Sequence, residues 1–228
     1  MAIRAILFDL DGTLIDQFQA IHKAFALTLE RMGYNKPSFE EVKRAVGGAS
    51  ESTMEKLIGS ERAKEAVQIL RPIFEREMLN GLTLLPGAKE ILHWCKANKV
   101  KAAVLTNKHG PHARIACKHL GISNDLEFVI GADDTQWKKP DVSLTNYTLE
   151  KIGYNATETL YIGDSPYDYK TAQNASMKCL LVSTGTHPMH ELCKLSSSLE
   201  VKADLKSLIP LVEKLLLNFK NFDGNDRD

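Results

Sequence analysis

The sequence predicts an α/β fold: a parallel sheet covered by helices on both faces, interrupted near its start by an all-helical insertion. Three observations carry this. Short apolar runs bounded by turn or polar residues recur along the chain, segments with helical spacing lie between them, and residues 16 to about 82 show helical spacing with no strand-like run. Strands that alternate with helices imply parallel pairing, because each crossover helix packs on a face of the sheet.

The first apolar run, Ala2–Phe8, ends at once in Asp9-Leu10-Asp11-Gly12-Thr13, which suits a buried strand leading into a turn. Four more strands are predicted at Lys101–Thr106, Leu126–Ile130, Thr159–Ile162 and Lys178–Val182. Helical spacing covers Ala88–Asn98, Pro111–Leu120, Ser143–Ile152, Pro166–Ala175 and Leu205–Phe219. Within the insertion, Ile21, Phe25, Leu29 and Met32 form one apolar stripe, and Phe18, Phe25 and Leu29 read as its core. Leu14–Gln17 leads out, and Leu82–Gly87, punctuated by Pro86 and Gly87, leads back. The resulting division is a core of residues 1–15 and 83–220, an insertion of 16–82 and a polar, flexible tail of 221–228.

Composition narrows the function classes. Lys+Arg and Asp+Glu both number 29 in 228 residues, so no basic excess points to nucleic acid or an anionic membrane, and any anion must be bound locally. The apolar runs fall short of the roughly 18 residues a membrane helix requires, and the N-terminus lacks a signal-peptide layout. Cys95, Cys117, Cys179 and Cys193 form no C-x-x-C pair and read as packing residues, so the expectation is a cytoplasmic chain, monomeric or homodimeric.

Chemistry concentrates at predicted strand ends, the edge where open α/β sheets bind ligands. Asp9 and Asp11 flank the end of the first strand, and an exact D-x-D-G-T match arises by chance in a chain of this length with a probability of order 10⁻³. Two neighbouring carboxylates repel unless a cation lies between them, which calls for a hard ion such as Mg²⁺. Gly163-Asp164-Ser165-Pro166-Tyr167-Asp168 closes another strand, so adjacent parallel strands would bring Asp164 to Asp9, while Ser165-Pro166 also reads as a helix start. Thr106-Asn107-Lys108 and Lys138-Lys139-Pro140 end or follow two further strands, although a lone Thr is more often a cap.

These motifs, in this order, resemble the haloacid dehalogenase-like superfamily, over essentially residues 2–218. The resemblance implies a Rossmann-like core and makes the insertion that superfamily's small α-helical cap. It implies Asp9 as a nucleophile that forms an aspartyl-phosphate, and Asp11 as general acid and then base. Thr106, Asn107 and Lys139 would bind phosphate. Asp9, the Asp11 region and Asp164 would hold Mg²⁺, with Asp168 orienting Lys139 or a metal-bound water from behind. The superfamily's dehalogenases lack an acid at position 11, so this chain is expected to be a phosphatase. The Thr106–Lys108 triplet, Gly163–Ser165 and Val42–Gly48 look most like the phosphoglycolate phosphatase group, with a small phosphorylated metabolite as substrate.

Alternatives stay open. Pyrophosphatases and nucleotidases share much of the pattern. Sugar-phosphate mutases resemble the chain through Asp16, but Gln17 and Ile21 stand where Thr and His are usual, and His22 is one place out of register. A binding protein on the same scaffold would be expected to have lost part of the catalytic set. In the insertion, Gly47 and Gly48 suggest either a loop that approaches the ligand and reads its leaving group or a helix C-cap, and Lys43 and Arg44 are candidates to meet an anion. His93, His109, His112, His119, His187 and His190 show no metal spacing and read as surface or capping residues.

Overall fold

The structure is a computed structural model that describes residues 3–220; the predicted tail of 221–228 lies outside the described residues. The chain runs β1 (Ala5–Phe8), β2 (Ile15–Asp16), α1 (Phe18–Arg31), α2 (Phe39–Ala45), α3 (Ser50–Ile58), α4 (Ala63–Glu77) and β3 (Thr83–Leu84). It continues through α5 (Ala88–Ala97), β4 (Lys101–Leu105), α6 (Gly110–His119), β5 (Val129–Ile130), α7 (Val142–Ile152) and β6 (Thr159–Gly163). The last elements are α8 (Pro166–Asn174), β7 (Lys178–Val182), α9 (Met189–Leu192), β8 (Glu200–Lys202) and α10 (Leu205–Lys220).

Six strands form one sheet in the order β5-β4-β1-β6-β7-β8, every neighbouring pair parallel. Counting only these six, the order is 3-2-1-4-5-6, a doubly wound arrangement whose direction of winding reverses between β1 and β6. Side chains alternate across the sheet. Ile6, Phe8, Val104 and Ile162 pack with α5, α6 and α10 on one face, whereas Leu7, Leu105 and Tyr161 pack with α7 and α8 on the other. Each β1 residue is fully buried, which is why these strands read as continuous apolar runs and not as alternating ones.

Two strand expectations change. The strand at Leu126–Ile130 shortens to two residues, Val129–Ile130, and β8 was not predicted at all. Glu200-Val201-Lys202 offers one apolar residue between two charges, a composition that blunts an exposed sheet edge and hides the strand from an apolar-run reading.

Helices α1 to α4 pack around their own cluster, which includes Phe18, Phe25, Leu29, Met54 and Leu70. Segments read as linkers pair instead: β2 and β3 form an antiparallel ribbon, with Ile15 opposite Leu84 and Asp16 opposite Thr83. Leu85 N–H donates to the Leu14 carbonyl at 3.0 Å, extending that tie. Replacing Ile162, fully buried beside β1, with Ala is expected to cost about 2–5 kcal/mol in urea unfolding, from lost burial and the cavity left behind. A loss below 1 kcal/mol would mean that the β1–β6 seam is not the rigid base of the site.

Candidate active site

The reversal point of the sheet places Asp9 directly after β1 and Asp164 directly after β6. The Asp9 N–H is held by the Ile162 carbonyl at 2.9 Å, so the strand ladder itself fixes the backbone beneath the carboxylate. Oxygens of Asp9, Asp164 and Asp168 lie within 4.8 Å of one another, and all three residues are buried. Lys139 reaches in from the loop after β5, its side chain fully buried, with the Lys139–Pro140 peptide cis. Its Nζ sits 2.7 Å from Asp168 Oδ1, 3.1 Å from Tyr161 Oη and 2.9 Å from Asp9 Oδ1.

Asp168 is fully committed to structure. It is the third residue of α8, and Ser165 and Asp168 form a reciprocal capping box. Its Oδ2 accepts from the N–H groups of Asp164 and Ser165 at 3.1 and 3.0 Å and from Ser165 Oγ at 2.6 Å, while Oδ1 takes Lys139. Asp164 accepts from Thr13 Oγ1 at 3.2 Å and from the Thr186 N–H at 2.8 Å. A Cβ at Gly185 would run into the Asp164 carboxyl, so only glycine lets the loop after β7 close this tightly.

Burial penalises charge throughout the cluster. The Asp9 carboxyl is pushed up to about 6 by desolvation, although Lys139 opposes the shift. Asp164 is held well above the ordinary carboxylate range by burial and by its neighbours Asp168 and Asp9. For Lys139, burial works against the ammonium, but Asp168 and Asp9 outweigh it and raise its pKa. Once ionised, the three carboxyl groups would face one buried ammonium with an excess of two negative charges, which favours the protonated forms of Asp9 and Asp164 and which one divalent cation would balance. Asp9 Oδ1 is in addition buried without an aligned hydrogen-bond donor despite its ionic contact with Lys139. An all-oxygen donor set with that charge fits Mg²⁺. Because the Asp168 oxygens are taken, Asp9 and Asp164 are the carboxylates that could hold it.

Asp11 stands apart from the three. Its carboxylate receives Lys108 Nζ on both oxygens, at 3.1 and 3.0 Å. Thr106 is buried and accepts from the Lys108 N–H at 3.2 Å, which leaves its own proton to donate into the cleft. The Asn107 side chain is occupied: it donates to the carbonyls of Gly47 and Lys139 at 3.1 Å each and accepts the Lys139 N–H at 2.9 Å, so it braces two loops. These groups open into a cleft of about 190 Å³, roofed by Ile21, Phe25, Gly47, Gly48 and Phe74 of the helical insertion.

The roof differs from expectation in detail. Gly47 and Gly48 line the cleft, but a Cβ at either would also crowd the Tyr167 side chain, at 3.0 and 3.3 Å, so their smallness serves packing against α8 as well. Arg44, a candidate anion receptor, is instead paired with Glu191 at 2.7 Å and donates to the Thr186 carbonyl at 3.3 Å. Lys43 lies over the Phe18 ring, outside the cleft lining. His112, read as a surface or capping residue, is buried, lines the cleft and faces Glu75 at 3.3 Å. Cys95 and Cys117 pack in the core, but Cys193 is exposed.

Tyr161, Lys108 and the Gly185–Thr186 loop went unassigned in the sequence. Tyr161 looked like one more apolar strand residue. Ser183–Thr186 carried a usable signal, since a polar, glycine-bearing loop after a buried strand lies at the ligand-binding edge of such a sheet.

A family model described as haloacid dehalogenase-like hydrolase matches residues 6–182. The chain belongs to this family of hydrolases. A phosphoglycolate phosphatase from Yersinia pestis is 31% identical over 191 residues, 81% of this chain and 82% of the relative. A relative from Caldanaerobacter subterraneus, 31% identical over 85% of this chain and 88% of its own length, carries a provisional pyrophosphatase name. Among solved structures, a haloacid dehalogenase-like hydrolase from Streptococcus pneumoniae superposes with a TM-score of 0.82 at 22% identity, covering 92% of this chain and 98% of its own, a likeness of fold. The chain is a hydrolase, and its relatives place it among the phosphatases of the family. Among the described residues, no helix is long and apolar enough to cross a membrane.

Replacing Lys139 with Met leaves the carboxylates without their ammonium. In the presence of chelator, the expected loss is about 3–5 kcal/mol at pH 8, the usual consequence of stranding buried charge. Lys139 lowers the carboxyl pKa values of Asp9 and Asp164, so its removal raises them further, and the folded variant gains more stability from acidification than the wild-type chain does. The loss should therefore be smaller at pH 5. An equal loss in urea unfolding at both pH values would show that Lys139 acts by packing.

Proposed function

We propose that this hydrolase is a Mg²⁺-dependent phosphatase of a small phosphorylated metabolite, with Asp9 as nucleophile, Asp11 as general acid and base, and residues 16–82 as the cap. The observation that carries this reading is the excess of buried carboxylate charge at Asp9, Asp164 and Asp168, gathered at the reversal point of the sheet and opening into a roofed cleft.

An Asp9 oxygen attacks phosphorus and the ester P–O bond breaks, leaving an acyl phosphate on Asp9. The departing oxygen needs a proton, which Asp11 can supply because its carboxyl lines the same cleft. Asp11 then takes a proton from the water that attacks the phosphoenzyme, and inorganic phosphate leaves with Asp9 regenerated. Thr106 Oγ1 donates to a phosphoryl oxygen, and Lys139 keeps Asp9 oriented while its ammonium offsets charge on the transferring group. Mg²⁺, held by Asp9 and Asp164, would supply charge neutralisation for the phosphoryl oxygens.

The mutase reading finds no support in the geometry. Asp16 receives the Phe18 N–H at 3.1 Å, His22 bonds the Pro37 carbonyl at 3.0 Å, and neither lines the cleft. Phosphoglycolate heads the candidate substrates because Yersinia pestis phosphoglycolate phosphatase is among the relatives.

Phosphate release from phosphoglycolate, sugar phosphates, nucleotides, pyrophosphate and 4-nitrophenyl phosphate, with and without Mg²⁺, tests the reading. Mg²⁺-dependent release from at least one alkyl ester is expected, and Asp9→Asn should lower it about 10³-fold or more and leave no covalently held phosphate. Phosphoenzyme that persists in Asp9→Asn would remove Asp9 from its role. Isomerisation of a sugar phosphate without net release would favour a mutase.

A further inference from the structure

We propose that Lys108 is a positioning residue that fixes the Asp11 carboxylate, and that it does so only while α4 of the helical insertion lies over it, through the ring of Phe74. The inference rests on the reading of Asp11 as the group that protonates the leaving oxygen.

A lysine side chain normally keeps its ammonium in water and its four methylenes mobile. Lys108 does neither: its side chain is 7% exposed and its Nζ bonds both oxygens of Asp11, itself 12% exposed. Both carboxylate oxygens in one grip leave Asp11 little freedom to rotate. The ammonium is covered by the Phe74 ring, whose centroid lies 4.8 Å from Nζ. Lys108 belongs to the core loop after β4, whereas Phe74 belongs to α4, so the cover is supplied from across the cleft.

Two further contacts seat α4 at the same place. The Phe74 ring lies 5.3 Å from the His112 ring, and Glu75 faces His112 Nε2 at 3.3 Å. With α4 seated, the contact between Nζ and the Asp11 carboxyl is sheltered from water, and an Asp11 that carries a proton still offers its other oxygen to Nζ, so the grip holds in both protonation states. With α4 lifted, water reaches Nζ, the pair weakens and Asp11 regains its rotamers. The acid is thus aligned only when the roof is on, which ties proton delivery to enclosure of the substrate.

The test compares kcat and KM of the full chain and of Lys108→Met, Lys108→Arg, Phe74→Leu and Lys108→Met/Phe74→Leu. The probes are 4-nitrophenyl phosphate, whose leaving group departs without a proton, and the alkyl ester turned over fastest in the panel above. Lys108→Met is expected to lose about tenfold or more kcat on the alkyl ester beyond its loss on the nitrophenyl ester, because only the former depends on aligned acid. Lys108→Arg should recover most of that difference, Phe74→Leu should show the same bias to a smaller degree, and the double variant should be no worse than Lys108→Met alone. Should Lys108→Met fold poorly, Lys108→Gln carries the same expectation. Equal losses on both esters, a rise confined to KM, or losses that multiply in the double variant would each overturn the clamp. A wild-type chain that hydrolyses neither ester would overturn the phosphatase reading and the clamp together, whereas active wild type with an unbiased Lys108→Met removes the clamp alone.

Discussion

Buried negative charge around a single ammonium is the constraint on which the rest of the site depends. Asp9, Asp164 and Asp168 are drawn together by the β1–β6 seam and the first turn of α8, yet among the described residues Lys139 is the one cation buried with them. Isolated charges in such surroundings are costly unless paired and hydrogen-bonded. The neighbouring structure can be understood as meeting that cost. Ser165 and two backbone N–H groups saturate Asp168, Thr13 and Thr186 hold Asp164, and Gly185 lets the loop after β7 approach. Asp9 retains an oxygen without an aligned donor, which is where a reactive carboxylate and a cation ligand would be wanted.

The roof is attached to that charge cluster through several short contacts. Asn107 reaches the Gly47 carbonyl, Arg44 reaches the Thr186 carbonyl beside Asp164, and Phe74 covers Lys108 beside Asp11. Each joins the helical insertion to a loop that carries a polar group of the site. In the clamp proposed for Lys108, seating the insertion and aligning Asp11 are one event, and the β2–β3 ribbon is the covalent connection between the two parts.

Much of this was legible in the sequence because it depends on local pattern. Buried parallel strands read as unbroken apolar runs, so β1, β4, β6 and β7 and the carboxylates at their ends stood out. The helix start at Ser165-Pro166 and the acid pair at Asp9 and Asp11 are short-range motifs. What escaped depends on long-range contact. Arg44 and Asn107 looked free to meet an anion, but their partners Glu191 and Gly47 lie 147 and 60 residues away. His112 looked superficial because helical spacing does not reveal that α4 folds over that face of α6. Lys108 gained its meaning only from Asp11, 97 residues earlier, and β8 was masked by its own charges.

Calorimetric titration of the chelator-treated chain with Mg²⁺ at pH 7.5 probes the charge balance most directly. One ion per chain, with binding abolished in Asp164→Asn while the far-UV spectrum is unchanged, is the result that the unbalanced carboxylates require. Failure of the folded wild-type chain to bind Mg²⁺, or unaltered binding in Asp164→Asn, would contradict it.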